Sequence, residues 1–148
     1  MDKSTLWFVY MSLFYLGVGA ILGVMMIFQP ATVAVMFRVH AHINLLGWVS
    51  MMIFGISYHV IPRFSGRPMR YPRIIWPHFW LANVGLVGMA LAWTVGGPGA
   101  KAWGHLAGLF GVAISVGVGL FIGNMLATIR AAPPPMVEIS QRPSCAGS

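Results

Sequence analysis

Four apolar stretches occupy almost the whole chain, and each reaches the roughly 20 helical residues needed to cross a hydrocarbon core. They run from about Leu6 to Phe28, Val33 to Ile61, Ile74 to Val95 and Ala102 to Ile129. Each ends at a clear stop: Gln29-Pro30, Pro62-Arg63, the Gly96-Gly97-Pro98-Gly99 turn, and Arg130 with Pro133-Pro134-Pro135 beyond it. In lipid every backbone group must be satisfied within its own segment, so runs of this kind must be helices. The first run is longer than a signal-peptide core and lacks a small-residue cleavage site before Gln29, so it is read as a span. The fold class expected is all-α, an integral membrane bundle of four transmembrane helices.

Composition supports the same conclusion. Of 148 residues 58% are hydrophobic and only 7% charged, against about a quarter charged in soluble domains. A soluble globular enzyme, a nucleic-acid module and a disordered chain are all excluded, and the surface must be covered by lipid. Nine Lys/Arg against two Asp/Glu give a net charge of +7, but these cations lie near span ends, where they orient helices. The loop from Pro62 to Arg73 carries Arg63, Arg67, Arg70 and Arg73. By the positive-inside rule it is cytoplasmic, which puts both termini inside as well, in a bacterial-type cytoplasmic membrane. Residues 1–130 form the membrane domain, and the Pro-rich stretch 131–148 is expected to be a disordered cytoplasmic tail. The single cysteine, Cys145, lies in that tail, so no internal disulfide is available.

Glycine pairs at helical spacing, Gly19/Gly23, Gly104/Gly108 and Gly119/Gly123, either let helices approach closely or leave room for a flat cofactor. Trp7, Trp76, Trp93 and Trp103 sit near span ends as interfacial anchors.

No Asp or Glu lies in a span, so carboxylate chemistry has no candidates there. Five histidines do: His40, His42, His59, His78 and His105. Ionisable residues inside a membrane are costly and point to function, and imidazole is a common axial ligand of haem iron. His42 and His105 fall in the outer halves of spans two and four, at nearly one depth, so two imidazoles there can clamp an iron from opposite sides. Arg38 precedes His42 by four residues and Lys101 precedes His105 by four. That spacing sets each cation on the histidine's own face one turn outward, where haem propionates would meet them. The alternative is that both simply snorkel to the interface. His59 and His78 make a second pair toward the inner side, with either a second haem or plain interfacial roles. His40 points roughly opposite to His42, so a His40-Ala41-His42 copper site would need a third ligand. The eleven methionines, including Met25-Met26, Met51-Met52 and Met125, read as adaptable packing residues, with an axial-ligand role only if His105 is unligated.

The segment from Phe37-Arg38-Val39-His40-Ala41-His42-Ile43-Asn44-Leu45-Leu46-Gly47-Trp48 through Gly55-Ile56-Ser57-Tyr58-His59-Val60-Ile61-Pro62-Arg63 resembles the second helix of subunit I in the haem-copper oxidase superfamily. The nitric oxide reductase and C-type oxidase branches are nearest. The resemblance implies that His42 is a ligand of a low-spin b haem, with His40 as its rival because the Arg38–His42 spacing is one residue longer than the family pattern. Family subunits have many more spans, and their binuclear metal centre lies on helices without a counterpart here. The expectation is therefore a short four-helix relative lacking that centre, not a complete oxidase or nitric oxide reductase on its own. It would carry electrons through one bis-histidine haem b, with a second haem as an option. Cofactor contacts are Arg38, His42, Lys101 and His105; the iron ligands are His42 and His105. Partners are the lipid bilayer, quinol or other respiratory-chain subunits and a second copy of the chain, but not nucleic acid. Two rival functions stay open: a gas sensor with one open axial position for NO, CO or O2, and a haem-free structural or assembly subunit.

Overall fold

The computed structural model describes residues 3–97 and 99–130; the tail 131–148, with Cys145, lies outside them. The described residues form four long apolar helices: α1 (Lys3–Phe28), α2 (Pro30–Phe64), α3 (Pro72–Gly96) and α4 (Lys101–Arg130). Their limits fall within three residues of those expected from hydropathy. Side chains such as Ile27, Phe28, Val95 and Leu109 stand exposed on the outside, as a lipid-facing surface requires.

The punctuation follows from local chemistry. Helices α2 and α3 each open with a tight turn led by proline, Pro30–Thr32 and Pro72–Ile74. A proline there gives up an N–H that would have no helical partner anyway. α2 ends at Gly66, whose φ of 61° closes the last turn. The Gly66 N–H donates to the Arg63 carbonyl and the Arg67 N–H to the Pro62 carbonyl, a glycine-terminated Schellman ending.

One feature of α2 departs from a simple span. Between an α-helical start (Val33–His42) and an α-helical end (Met51–Phe64), residues Ile43–Ser50 wind as a π-helix. The Ser50 hydroxyl donates to the Leu45 carbonyl five residues back, at 2.8 Å. Such widened turns are uncommon and concentrate at functional sites. Here the widening begins directly after His42.

Lipid tails are as apolar as leucine, so these helices associate through close packing and polar contacts. α1 lies along α2, where Tyr15 covers Gly47 and Phe8 and Val9 cover Gly55. α3 lies along α4, where Gly85 and Gly88 receive Phe110 and Ile114. Among the glycine pairs singled out from sequence, Gly19 and Gly23 do make room, for Asn44 and His40. Gly104/Gly108 and Gly119/Gly123 face open space with nothing within 4 Å. The packing role there belongs instead to Gly85, Gly88 and Gly117.

The two hairpins meet over an aromatic core near the arginine loop. Phe8, Phe54, Tyr58 and Phe121 surround His78, with ring centroids 4.6–5.8 Å from the imidazole. An interfacial role for His78 is therefore overturned: its ring is wholly buried. Tyr58 and His78 Nδ1 share a 2.9 Å hydrogen bond, and Nε2 has no partner among the described residues. Removing one member of a buried pair leaves the other's polar atom unsatisfied, whereas removing both is close to neutral. Tyr58→Phe is thus expected to destabilise the protein by about 1–3 kcal/mol, and Tyr58→Phe with His78→Leu by less. Unfolding in detergent monitored by circular dichroism checks the difference.

The arginine loop is held against the end of α4. The Asn124 carboxamide accepts from the Tyr71 N–H at 3.1 Å and donates to the Tyr71 carbonyl at 3.0 Å. The Thr128 hydroxyl accepts from the Arg70 N–H at 3.1 Å. Arg67 donates to the Ile129 carbonyl, where the exposed carbonyls of a helix C-terminus favour a cation. These contacts explain why Asn124 and Thr128 are buried polar residues in an otherwise apolar helix.

Candidate functional site

The site grows from the two helical turns of α2 that precede the π-helix. Successive α-helical residues turn by about 100°, so His40 and His42 must face nearly opposite sides. His40 turns to α1. Its Nδ1–H donates to the Gly19 carbonyl at 3.0 Å, while the Asn44 amide donates to the His40 carbonyl at 2.8 Å. Gly23 lies against the same imidazole, where an added Cβ would stand 3.3 Å from Cε1. The His40-Ala41-His42 segment thus does not converge on one point. Among the described residues, no three His, Cys, Asp or Glu side chains gather as a metal-binding set.

His42 turns the other way, toward α3 and α4. Its ring meets Trp93 edge-on, with centroids 4.8 Å apart and planes at 69°. Its Nδ1–H donates to the Arg38 carbonyl at 2.9 Å. A carbonyl can only accept, so the neutral ring carries its proton on Nδ1 and its lone pair on Nε2. The imidazole opens on a groove of about 330 Å³ lined by Leu46, Met89, Gly111, Ile114, Ser115 and Val118. The floor is low at Gly111, which meets nothing within 4 Å, and Ser115 ties its hydroxyl back to the Gly111 carbonyl.

Trp93 also borders a second cavity, of about 240 Å³, whose lining includes both Arg38 and Lys101. The two cations picked out from sequence therefore share one space, one helical turn from His42. His105 is placed differently. It is exposed, and α4 turns Gly104 rather than His105 toward that cavity. The structure brings Arg38 and Lys101 to one cavity, sets His42 on a separate groove with its ring against Trp93, and leaves His105 about a quarter-turn around α4. His59 is half-buried beyond the aromatic core, on the same helix as His42.

Three contributors are not visible in the sequence. Trp93 reads there as an anchor, yet it borders the cavity and meets the His42 ring edge-on. Met89 is buried beside His42, and nothing in its local sequence separates it from ten other methionines. Gly111 lies outside the glycine pairs that the sequence singles out, and only the fold places it in the His42 groove.

Comparison with known proteins gives this geometry a family. Residues 3–145 match the model of the family described as cytochrome c and quinol oxidase polypeptide I. Shorter stretches resemble curated relatives. These include a cbb3-type cytochrome c oxidase subunit CcoN1 of Stutzerimonas stutzeri, 43% identical over 49 residues (32% of this chain, 10% of the relative). Cytochrome c oxidase subunit 1 of Rhodobacter capsulatus is 42% identical over 59 residues, 38% of this chain and 11% of that protein. A cytochrome c oxidase subunit 1 homolog of Agrobacterium tumefaciens (strain T37) is 38% identical over 66 residues, 43% and 12% of the two chains. The chain spans about a tenth of the length of these relatives. With nearly all of its residues inside the family match, this multi-pass membrane chain belongs to the cytochrome c and quinol oxidase polypeptide I family, the haem-copper oxidase subunit I proteins.

Proposed function

We propose that the chain is a membrane b-type haem protein that carries electrons, with His42 as an axial ligand. The observation that carries this reading is the shared cavity of Arg38 and Lys101 beside the Trp93–His42 pair. Two cations supplied by separate helices suit the two propionates of one porphyrin. The residues fit the group in other respects. His42 keeps a lone pair on Nε2, its tautomer is fixed by the Arg38 carbonyl, and a carbonyl partner of this kind raises ligand basicity. Gly111 adds no side chain of its own to the groove. When bound, haem supplies a one-electron iron couple. The chain's own part is to orient the imidazole through Trp93 and Arg38, to neutralise propionate charge, and to exclude water with apolar walls.

His105 is the proposed opposite ligand, which requires α4 to turn so that its ring replaces Gly104 on the site side. Its exposure favours a second reading, a haem with one open axial position that binds a diatomic gas. Electron donors of the proposed carrier are quinol or another respiratory-chain subunit. In the proposed arrangement the arginine loop and both termini lie on the cytoplasmic side by the positive-inside rule, and reduction of oxygen or nitric oxide by this chain alone is not proposed.

Optical spectra of the detergent-purified protein, oxidised and dithionite-reduced, with and without CO, separate these readings. Sharp reduced bands unmoved by CO are expected for the bis-histidine carrier. A CO-shifted spectrum would replace it with the gas-binding reading. A colourless preparation that cannot be reconstituted with haem would overturn both and leave a structural subunit.

A further inference from the structure

A groove of about 600 Å³ runs along α1 and α3 from the arginine-loop end toward Leu91, with Phe110 of α4 also in its lining, a volume within the range of small-molecule sites. Two helical stripes make up the part of its lining nearest the arginine loop. α1 contributes Trp7, Met11 and Tyr15, spaced four apart; α3 contributes Trp76, Trp80 and Val84 with the same spacing. At its deep side Tyr15 donates to the Asn83 Oδ1 at 2.9 Å, and Asn83 in turn donates to the Phe79 carbonyl at 2.8 Å. The polar atoms at the base are thus already paired, and the groove is an apolar trough.

Each stripe continues one turn outward to a cation. Lys3 is four residues before Trp7, and Arg73 is three before Trp76, spacings that share a helix face. Both are exposed. Neither has a carboxylate to pair with among the described residues, because the sequence has no Asp or Glu between residues 3 and 137. Neither cation lines the groove itself; each stands about one helical turn beyond a tryptophan that does, Lys3 beyond Trp7 and Arg73 beyond Trp76.

We propose that this groove between α1 and α3 binds an anionic phospholipid, its acyl chain lying along the Trp7–Tyr15 and Trp76–Val84 stripes and its phosphate held by Lys3 and Arg73. A neutral lipid would fill the trough but leave the cations without counter-ions. An isoprenoid quinone would use the trough without needing the cations at all. The arrangement therefore favours a negatively charged headgroup.

Tryptophan quenching in vesicles tests it. The protein is reconstituted in phosphatidylcholine containing an equal fraction of chain-brominated phosphatidylglycerol or chain-brominated phosphatidylcholine. Brominated phosphatidylglycerol is expected to quench preferentially. Lys3→Ala and Arg73→Ala should each reduce its apparent affinity by about fivefold, the contribution of one basic residue beside an anionic lipid. Arg63→Ala, on the same side but off both stripes, should leave it within twofold. Equal quenching by the two lipids in the wild-type protein would overturn the proposal. So would an equal loss in Arg63→Ala, which would reduce the effect to general surface charge, or displacement of the phosphatidylglycerol by short-chain ubiquinone at equimolar amounts. A second variant, Val84→Trp, fills the trough and keeps both cations; it should abolish the preferential quenching, and its persistence would place the lipid elsewhere.

Discussion

Replacing His42 with alanine is expected to remove haem absorbance completely from the purified protein while leaving the helical circular dichroism signal unchanged. The imidazole is the side chain of α2 that offers a lone pair to the groove, and its Nδ1 is engaged with Arg38. His40→Ala is expected to retain haem, because that ring is turned to α1 and bonded to Gly19. His105→Ala divides the two haem readings. Loss of the low-spin signal identifies His105 as the second ligand, whereas retained haem with an unchanged CO response shows that it is not. Arg38→Ala and Lys101→Ala should each keep the haem and lower its midpoint potential by on the order of tens of millivolts, since a nearby cation favours the reduced iron. Redox titration followed at the reduced absorption band gives the shift. Retention of full haem content by His42→Ala would remove the basis of the proposed site.

The second large effect concerns the α3–α4 hairpin. Gly85→Val is expected to destabilise it by about 3 kcal/mol, the upper part of the ordinary range for overpacking. An added Cβ at Gly85 would stand 2.6 Å from the Ile114 side chain and 2.9 Å from the Phe110 carbonyl. The second of these is backbone and cannot swing aside. Gly108→Val, on the same pair of helices, should change stability by less than about 0.5 kcal/mol, as exposed substitutions usually do. Nothing lies within 4 Å of that position. Unfolding by SDS from mixed micelles compares the two, and a similar loss in both would mean that α4 packs through a different face.

The sequence made the spans legible because hydropathy and helix punctuation are local. Pro30, Pro62 and the Gly96–Gly99 turn mark boundaries that the structure keeps to within three residues. The divergence of His40 and His42 was legible for the same reason, since it follows from helical rotation alone. Which glycines pack was not legible. Gly19 and Gly85 differ from Gly108 only in what another helix brings to them, and that depends on how the hairpins pair. His78 shows the same limit: near Pro77 at a span start it reads as interfacial, but Phe8, Phe54 and Phe121 from three other helices enclose it. The candidate site was half legible. His42 and His105 stand out as polar groups at one depth, with Arg38 and Lys101 one turn outward, while Trp93 and Met89 are ordinary membrane residues until the fold puts them beside His42.

The widened turns at Ile43–Ser50 have a consequence for how α2 can vary. Its two ends are fixed by separate anchors: His40 on Gly19 at one, Tyr58 on His78 at the other. A uniform α-helix would tie the rotational phase of one anchor to that of the other. The wider turns of the π-helix offset that phase, so the azimuth of His42 relative to the aromatic core differs from what an unbroken α-helix would give. The same helix can then keep its deep packing while the imidazole at its far end is re-aimed, and the length of this segment becomes the quantity that tunes the aim.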